Sequence, residues 1–252
     1  MIEVCDLKKY FASGLLQKHC VKSVDGVSFH IAKGETMGLV GESGCGKTTL
    51  GRLLLRLIEP TSGQIFFDGT EITKLNRREI RRIRPHMQMI FQDPDSSLNP
   101  RMKIGESIAE PFRLGLNGKF SRREIRDRVL ELIETVGLNP EHVNRYPHQL
   151  SGGQNQRVVL ARILAINPDF IVADEPTASL DISVQAQILN LILDLKDKYD
   201  LTLLFISHDM EIVRHMSDRV AVMKHGQIVD IGDAERIFKT HQDLVVDSPL
   251  LI

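Results

Sequence analysis

Residues 41–49 read GESGCGKTT, and this stretch decides the fold. Its first eight residues fit the pattern of Gly, four variable residues, Gly, Lys and then Ser or Thr, which is typical of a phosphate-binding loop. The strand-like run TMGLV (residues 36–40) precedes it, and a helix-like segment, residues 50–58, follows it. Because strand, loop and helix are the context that this motif requires, the sequence predicts a phosphate-loop protein with an α/β core.

The residue types in this loop indicate its chemistry. Gly41, Gly44 and Gly46 let the backbone curl so that successive N–H groups point inward. The helix that follows adds its positive end toward bound anionic oxygens. We expect the Lys47 ammonium to reach the β- and γ-phosphates of a nucleotide, and the Thr48 hydroxyl to ligate Mg²⁺.

The composition is that of an ordinary globular chain. It has 252 residues, 42% hydrophobic and 26% charged, and no apolar run approaches the roughly 20 residues that span a bilayer. The first ten residues lack the apolar region of a signal peptide, so we expect a cytoplasmic chain that reaches a membrane only through a partner. A net charge of −1 gives no global attraction to nucleic acid, and we interpret the arginine-rich segments 76–84 and 122–128 as solvated helix faces. The three cysteines and nine histidines show no zinc-ligand spacing.

Residue patterns divide the chain into a core and an insert. Alternating apolar residues near the N-terminus predict an antiparallel flap that leads into the phosphate-loop strand. Residues 93–155 have no long strand and include an amphipathic helix over 121–136, so we interpret them as a helical insert. The α/β core is then formed by residues 1–92 and 156–235, and residues 236–252 are predicted to be a short C-terminal tail.

Two carboxylates follow a buried strand downstream. The run FIVA (residues 170–173) leads directly into Asp174 and Glu175. Buried parallel strands read as apolar runs, and they present functional groups at their carboxyl ends. In a phosphate-loop protein, this arrangement places Asp174 on Mg²⁺ and lets Glu175 orient the attacking water.

Further polar residues are predicted to lie near the same edge of the sheet. Gln92 follows the buried run 87–91, and His208 follows the buried strand 201–206, so we assign both side chains to the site. The sequence LSGGQ (residues 150–154) precedes another helix. Its small residues leave free N–H groups, which favours a second phosphate-binding helix end over a plain capping turn.

An aromatic pair, Tyr10 and Phe11, lies in the predicted flap of a chain that has no Trp. One of these rings could stack on a purine base. Each could equally be a core or loop aromatic, and the residue types leave these alternatives open.

In their order and spacing, these motifs resemble those of the nucleotide-binding subunit of an ATP-binding cassette (ABC) transporter. The resemblance covers residues 2–235. It implies a P-loop NTPase cassette of the α/β class, with a RecA-like core, an N-terminal antiparallel β subdomain and a helical insert that carries LSGGQ at its end. It also implies ATP and Mg²⁺ as ligands, and ATP hydrolysis coupled to transport as the activity.

The resemblance assigns roles residue by residue. The catalytic residues are Glu175, His208, Lys47 and Gln92. Contacts to ATP in the same subunit are implied for Phe11, Gly41, Glu42, Ser43, Gly44, Cys45, Gly46, Lys47, Thr48 and Thr49. Contacts to the ATP of an opposing subunit are implied for Ser151, Gly152, Gly153, Gln154 and Asp181. The Mg²⁺ ligands are Thr48, Gln92 and Asp174.

Three segments, GESGCGKTT, FQDPDSSLNPRM (residues 91–102) and DEPTASLDISVQAQILNLI (residues 174–192), are similar to the subfamily that powers uptake of oligopeptides, dipeptides and nickel. The chain departs from this pattern at Asn155, where the family usually has a basic residue. The tail lacks the HPYT-like segment and the cysteine-rich extension of longer members, which favours a nickel-type or other short member. The loop between Phe11 and Val27 is expected to be longer than in compact cassettes; Phe11 aligns best with the base-stacking aromatic, and Tyr10 is second.

The resemblance also implies partners. We expect a head-to-tail pair with a second ATP-binding subunit, either a paralogue or an identical copy, together with two transmembrane permease subunits. An extracellular or periplasmic solute-binding protein would act indirectly, no nucleic acid is expected, and the location is the cytoplasmic face of the cell membrane. The alternative is a soluble ABC-type ATPase of DNA repair or translation. Because Cys45 lies in the loop, thiol alkylation is expected to inhibit the ATPase and ATP to protect it.

Overall fold

The computed structural model describes residues 1–13, 19–116 and 118–241. Within these ranges the strands are β1 (Ile2–Ser13), β2 (His19–Ile31), β3 (Thr36–Val40), β4 (Ser62–Phe67), β5 (Thr70–Glu71), β6 (Met87–Ile90), β7 (Phe170–Asp174), β8 (Thr202–Ile206), β9 (Arg219–Lys224) and β10 (Gln227–Asp233). The helices are α1 (Lys47–Leu54), α2 (Arg77–Ile83), α3 (Pro94–Ser97), α4 (Ile104–Arg113), α5 (Arg122–Thr135), α6 (Gly152–Leu164), α7 (Ile182–Tyr199), α8 (Met210–Met216) and α9 (Ala234–Thr240). Short 3₁₀ turns cover Arg84–His86, Pro140–Asn144 and Pro147–Gln149.

A six-stranded sheet in the order β10-β9-β3-β8-β7-β6 carries the phosphate loop. Strands β3, β6, β7, β8 and β9 run parallel to their neighbours, and only β10 pairs antiparallel, with β9. Every residue of β3, β7 and β8 is buried, as the continuous apolar runs in the sequence predict for strands covered on both faces. The carboxyl ends of these strands therefore open onto one edge of the sheet, where the loops that follow them meet.

The predicted antiparallel flap is confirmed as a second sheet, in the order β2-β1-β4-β5. Its extent differs from the prediction of a long loop between Phe11 and Val27. Strand β1 continues to Ser13 and β2 already begins at His19, so most of that segment forms a strand ribbon, while residues 14–18 lie outside the described part of the chain. The outer part of this ribbon was missed because residues 8–13 and 19–25 include many polar residues and show no clean alternation.

Helix α1 begins earlier than the sequence pattern predicts. Residues 50–58 were expected to be helical, whereas the helix covers Lys47–Leu54 and has Gly46 as its N-cap. Arg56 adopts a positive φ of 50° just past its end, and this conformation cannot continue a helix. The helix thus starts inside the motif, which points its first N–H groups into the loop.

The helical insert is confirmed, because no strand occurs among the described residues of 93–155. Helix α5 starts at a capping box in which the Ser121 hydroxyl accepts from the Glu124 N–H, while the Glu124 carboxylate accepts from the Ser121 N–H. Its buried face, with Ile133 at 0% exposure, packs into the cluster that also contains Phe112 of α4 and Val158 of α6. The insert therefore shares one hydrophobic core with a face of the main sheet.

The arginine-rich helix α2 is mostly exposed, whereas helix α9 is partly buried in the core. Of the residues of α2, only Ile80 is buried, in agreement with a solvated arginine face. Helix α9 crosses the predicted boundary at residue 235, and Ile237 and Phe238 are buried in the core. The folded unit thus extends beyond that boundary; residues 242–252 of the predicted tail lie outside the described residues. No helix in the described ranges is both long and apolar enough to cross a membrane.

Candidate active site

The phosphate loop is held by backbone packing at positions where no side chain fits. Gly46 has a φ of 113°, and a Cβ there would overlap the carbonyl oxygen of Ser23 in β2. A Cβ at Gly41 would overlap the carbonyl oxygen of Met223 in β9. These two glycines are therefore required both by conformation and by close approach of neighbouring strands. Glu42, Ser43 and Gly44 form the exposed tip of the loop.

Lys47 lies under this loop with only 7% of its surface exposed. Its ammonium donates to the carbonyl oxygens of Gly41, at 2.6 Å, and Glu42, at 3.0 Å. A buried ammonium needs such acceptors. The cation is therefore fixed at the loop, within the ring of backbone groups that the motif provides for phosphate.

Thr48 and Asp174 are brought together from positions 126 residues apart. The Thr48 hydroxyl donates to Asp174 Oδ1 at 3.1 Å, so the first turn of α1 meets the carboxyl end of β7. Burial raises the pKa of the Asp174 carboxyl, and the Thr48 hydrogen bond opposes this rise. A hydroxyl and a buried carboxylate are hard oxygen ligands of the kind that Mg²⁺ prefers, so these two residues fit the ion.

Glu175 and His208 form the second pair at this edge. Glu175 has a φ of 47°, in the left-handed region, and its N–H donates to the Ile206 carbonyl oxygen at 2.9 Å. Such a conformation is costly for a non-glycine residue and is often found at functional sites. His208 Nδ1 lies 3.2 Å from Glu175 Oε1, and the side chains are 61% and 22% exposed respectively. The carboxylate and the imidazole therefore form a hydrogen-bonded pair at the carboxyl ends of β7 and β8.

Gln92 is joined to the segment that precedes α7. It is exposed, and its carbonyl oxygen accepts from the Ser179 hydroxyl at 3.5 Å. Asp181 is the exposed N-cap of α7, and its side chain makes no capping hydrogen bond. The structure therefore brings Gln92 and the Ser179–Asp181 segment into one surface.

The LSGGQ sequence forms the start of α6. Ser151 is the N-cap, its hydroxyl accepts from the Gln154 N–H at 3.3 Å, and the Gln154 side chain accepts from the Ser151 N–H at 3.0 Å. A Cβ at Gly153 would overlap Val184 of α7, so this glycine permits close packing of the two helices. Ser151 and Gly152 remain exposed. The capping turn that we weighed as an alternative is present, and the exposed Ser151 and Gly152 stand at the same helix start.

The structure distinguishes the two candidate aromatics. The Tyr10 hydroxyl donates to the Asp25 carboxylate, whereas Phe11 is 42% exposed. Phe11 lies opposite Val21 on β2, and directly opposed residues share a face of the ribbon. Val21 lines a cleft of about 490 Å³ together with loop residues 42–45. Phe11 is therefore on the side of the ribbon that borders the phosphate loop.

One contributor was missed by sequence reasoning. The turn between β9 and β10 lies against the phosphate loop: the Gly226 N–H donates to the Cys45 carbonyl oxygen at 2.9 Å, and the Gly226 carbonyl oxygen accepts from the Asp25 N–H at 2.8 Å. The sequence shows a hairpin turn here, but no local signal reveals what the turn contacts.

Asn155, where the family resemblance leads us to expect a basic residue, has a defined contact. Its side chain is 3% exposed, and its amide donates to the Pro147 carbonyl oxygen at 3.2 Å. A short amide can reach this buried carbonyl from the first turn of α6. The departure thus affects the packing of the insert and leaves the sheet edge unchanged.

Comparison with known proteins agrees with this geometry. A family model described as ABC transporter matches residues 24–178, more than half of the chain. The chain belongs to the ABC transporter family. It is an ABC transporter ATPase subunit, and the fold class predicted from its motifs is confirmed.

Relatives of this ABC ATPase include the oligopeptide transport ATP-binding proteins AppF and OppF of Bacillus subtilis. The first is 49% identical over 94% of the chain and 73% of the relative, and the second is 48% identical over 95% and 77%. A putative peptide import ATP-binding protein of Brucella ovis is 49% identical over 96% of the chain and 75% of the relative.

Solved structures show the same cassette. The dimeric post-hydrolysis state of the ATP-binding cassette MJ0796, bound to ADP and Pi, has a TM-score of 0.83 and 30% identity over 93% of this chain and 99% of that one. CbiO1 of Clostridium perfringens, part of the ABC transporter complex CbiONQ, has a TM-score of 0.82 and 27% identity over 100% of this chain and 95% of that one.

The two glycines at the tip and base of the loop give a matched test of its packing. We expect Gly46→Ala to abolish measurable ATP binding, because both the positive φ and the Ser23 carbonyl oppose a side chain. Gly44 has a φ of 80° but nothing within 4 Å of a Cβ. Gly44→Ala should therefore cost only the left-handed strain, about 1–2 kcal/mol. Calorimetric ATP titrations and thermal melts of both variants check this; equal binding losses would contradict the packing account.

The cysteines give a second test of the packing of the loop. Their burial changes the expectation that alkylation of Cys45 readily inhibits the ATPase. Cys45 is 8% exposed, and burial raises the pKa of its thiol, whereas Cys20 is exposed. Because the thiolate is the reactive form, iodoacetamide should label Cys20 first and Cys45 slowly. Peptide mass spectrometry over time measures both rates, with Cys20→Ser as control. Labelling of Cys45 as fast as Cys20 would show that the loop opens freely.

Proposed function

We propose that this ABC ATPase hydrolyses ATP to power the import of oligopeptides. The observation that carries the proposal is the convergence of a buried ammonium, a hydroxyl–carboxylate pair and a carboxylate–imidazole pair at one sheet edge. The peptide assignment is supported by relatives at 48–49% identity, which are named for oligopeptide or peptide transport. Uptake of nickel stays as the alternative solute.

Each residue of the site has a role in phosphoryl transfer. The β- and γ-phosphates are held by Lys47 and by the N–H groups of loop residues 41–49. This preorganised cationic site stabilises the charge of the phosphates. Thr48, Asp174 and Gln92 would hold Mg²⁺, which supplies further charge neutralisation when bound. Glu175 orients the attacking water and accepts its proton, while His208 positions the Glu175 carboxylate. Thr49 follows Thr48 in the first turn of α1.

A second cassette completes the site. Ser151, Gly152 and Asp181 are exposed, and they lie at the starts of α6 and α7, which pack against each other. We assign Ser151, Gly152, Gly153, Gln154 and Asp181 to the ATP of an opposing subunit, in a head-to-tail pair. The dimeric description of MJ0796 supports this arrangement. The opposing subunit is a paralogue or an identical copy.

An apolar groove beside Gln92 fits the permease subunits. It has a volume of about 530 Å³ and lies between the end of β6, α4 and α6. Three large apolar side chains on its border are exposed, Phe91 at 39%, Leu114 at 67% and Leu116 at 43%. An apolar groove of this kind is typical of a surface that docks a helix of another protein. Since Phe91 precedes Gln92, docking there can sense the nucleotide state. Two permease subunits, with a solute-binding protein outside, would complete a transporter at the cytoplasmic face of the membrane.

The rival function is a soluble ABC-type ATPase of DNA repair or translation. The described part of the insert is a compact set of short helices, and the arginines of α2 form a solvated face with a balanced overall charge. Neither feature provides a basic groove for a nucleic acid backbone. These observations favour the transporter.

Glu175→Gln tests the catalytic assignment. We expect the variant to bind ATP with unchanged affinity, to lose turnover by about 100-fold or more because a general base is removed, and to accumulate as an ATP-bound dimer. Turnover assays and size-exclusion chromatography with ATP measure these effects. A variant with near-native turnover would remove Glu175 from the chemistry, and a monomer in ATP would contradict the paired site.

Purification of tagged Glu175→Gln from native membranes with ATP tests the transporter. Mass spectrometry should find two polytopic membrane proteins and a second cassette, and the associated solute-binding protein should bind peptides. Binding of nickel instead would reassign the solute. Recovery of DNA-associated or ribosomal proteins without membrane subunits would support the rival function.

Leu114→Asp tests the docking groove. A charge in an apolar interface should reduce the recovery of permease subunits by about tenfold or more. Val229→Asp is the matched control, because Val229 is a 54% exposed aliphatic residue on β10. Both variants should melt like the parent protein. Equal permease recovery with the two variants would exclude this groove as the docking surface.

A further inference from the structure

Strand β2 has an extra residue at the point where it meets the phosphate loop. The register pairs Lys9 with Val24 but Tyr10 with Lys22, so Ser23 has no partner on β1 and forms a bulge. The carbonyl oxygen of Ser23 occupies the space that a Gly46 side chain would fill. Bulges of this kind redirect a strand and are common near active sites. The bulge therefore sets where the ribbon sits relative to the loop.

Side chains on both sides of the bulge are joined to one carboxylate. The Tyr10 hydroxyl donates to Asp25, and the Lys22 ammonium donates to the other Asp25 oxygen at 3.1 Å. The same ammonium lies 5.4 Å from the centre of the Tyr10 ring. Residues 22 and 25, which flank the bulge, are thus held to one another and to β1.

The ionisation states of these groups support the contact. The hydrogen bond from Tyr10, followed by that from Lys22, lowers the pKa of Asp25, and the bond to Asp25 raises the pKa of Tyr10. Both directions widen the pH range over which a neutral phenol donates to a charged carboxylate. These are the protonation states in which the Tyr10 hydroxyl can donate to the Asp25 carboxylate.

The backbone of Asp25 continues the connection to the phosphate loop. Its N–H donates to the Gly226 carbonyl oxygen at 2.8 Å, and the Gly226 N–H donates to the Cys45 carbonyl oxygen at 2.9 Å. A Cβ at Gly226 would stand 2.7 Å from the Lys22 carbonyl oxygen, so the turn is packed directly on the ribbon. The ribbon and the loop are thus fixed to one another through the β9–β10 turn.

We propose that Tyr10 and Asp25 are a positioning pair that sets the distance between Phe11 and the phosphate loop, and that they thereby determine affinity for the nucleoside part of ATP. The inference rests on the proposed function and on Phe11 stacking on the base of ATP, the role that the family resemblance implies for this residue. Phe11 is 42% exposed, and the Lys9 ammonium lies 4.9 Å from the centre of its ring. Because so much of this ring faces solvent, its position depends on the backbone, and the adjacent Tyr10 anchors that backbone.

The pair acts through Phe11 and does not touch the phosphates, which gives the inference a distinctive readout. The non-hydrolysable analogue AMP-PNP carries base and phosphates, whereas tripolyphosphate carries the phosphates alone. Tyr10→Phe removes one hydroxyl. We expect it to weaken the binding of AMP-PNP by about three- to tenfold, which corresponds to the loss of one hydrogen bond. Tripolyphosphate affinity should stay unchanged. In steady-state assays, KM for ATP should rise while kcat is retained.

Tyr199→Phe is the matched control. Tyr199 ends α7, and its ring also lies near a lysine ammonium, at 5.2 Å. This variant should bind both ligands like the parent. Asp25→Ala should weaken AMP-PNP as Tyr10→Phe does, and the double variant should be no worse than the poorer single variant, because the residues act as a unit.

Calorimetric titration of these variants, together with Phe11→Ala, decides the matter. Equal weakening of AMP-PNP and tripolyphosphate by Tyr10→Phe would show a general support of the fold and overturn the inference. The inference would also be overturned if Tyr10→Phe bound AMP-PNP with unchanged affinity while Phe11→Ala bound it more weakly. That result would leave the proposed function intact. Unchanged affinity in Phe11→Ala would refute base stacking itself.

Discussion

The fold of this ATPase depends on backbone packing around the phosphate loop. Gly41 and Gly46 lie so close to carbonyl oxygens of β9 and β2 that any side chain would overlap them. Strand β3 enters the loop from the buried centre of the sheet, and α1 leaves it directly at Lys47. Because both glycines contact other strands, the loop is fixed by the antiparallel sheet as well as by its own strand. The N–H groups that receive phosphate are therefore preorganised by the tertiary structure.

The parts of the site that the sequence predicts are those carried by local patterns. The motif around Lys47, and the apolar run that ends in Asp174, each specify a short element and its chemistry, and the structure brings them together through Thr48. The predicted positions of Gln92 and His208 at the same edge follow from parallel strands having their carboxyl ends together. Helix ends were less accurate, since the start of α1 is set by the conformation of Gly46.

Other features could not be predicted, because they are contacts between residues that lie far apart in the sequence and that no common pattern links. The ribbon bulge at Ser23 depends on pairing between the outer parts of β1 and β2, where the residues show no clean alternation of polar and apolar types. The contact of Gly226 with Cys45 links positions 181 residues apart, and the phosphate-loop motif around Cys45 does not indicate which distant turn packs against it. The amide of Asn155 donates to a buried carbonyl oxygen, and only the packed turn at Pro147 reveals this contact. In each case one of the contacting groups is a backbone atom. Nearly all residues carry the same backbone groups, so the residue types do not indicate such a contact.

The exposure of the Glu175–His208 pair suggests a reason why hydrolysis should depend on a second subunit. His208 is 61% exposed and Glu175 adopts a strained backbone conformation, so the single chain holds an aligned but solvated site. Charge interactions are weaker in water than in a closed site, and freely exchanging water opposes the positioning of one attacking molecule. In the proposed pair, the opposing α6 start would cover this edge and exclude solvent. Assembly would then strengthen the electrostatics of residues already in place, with Gln92 and Ser179 in contact beside them. The chemistry and the pairing of subunits would thus be coupled through water exclusion, without any large rearrangement of the sheet.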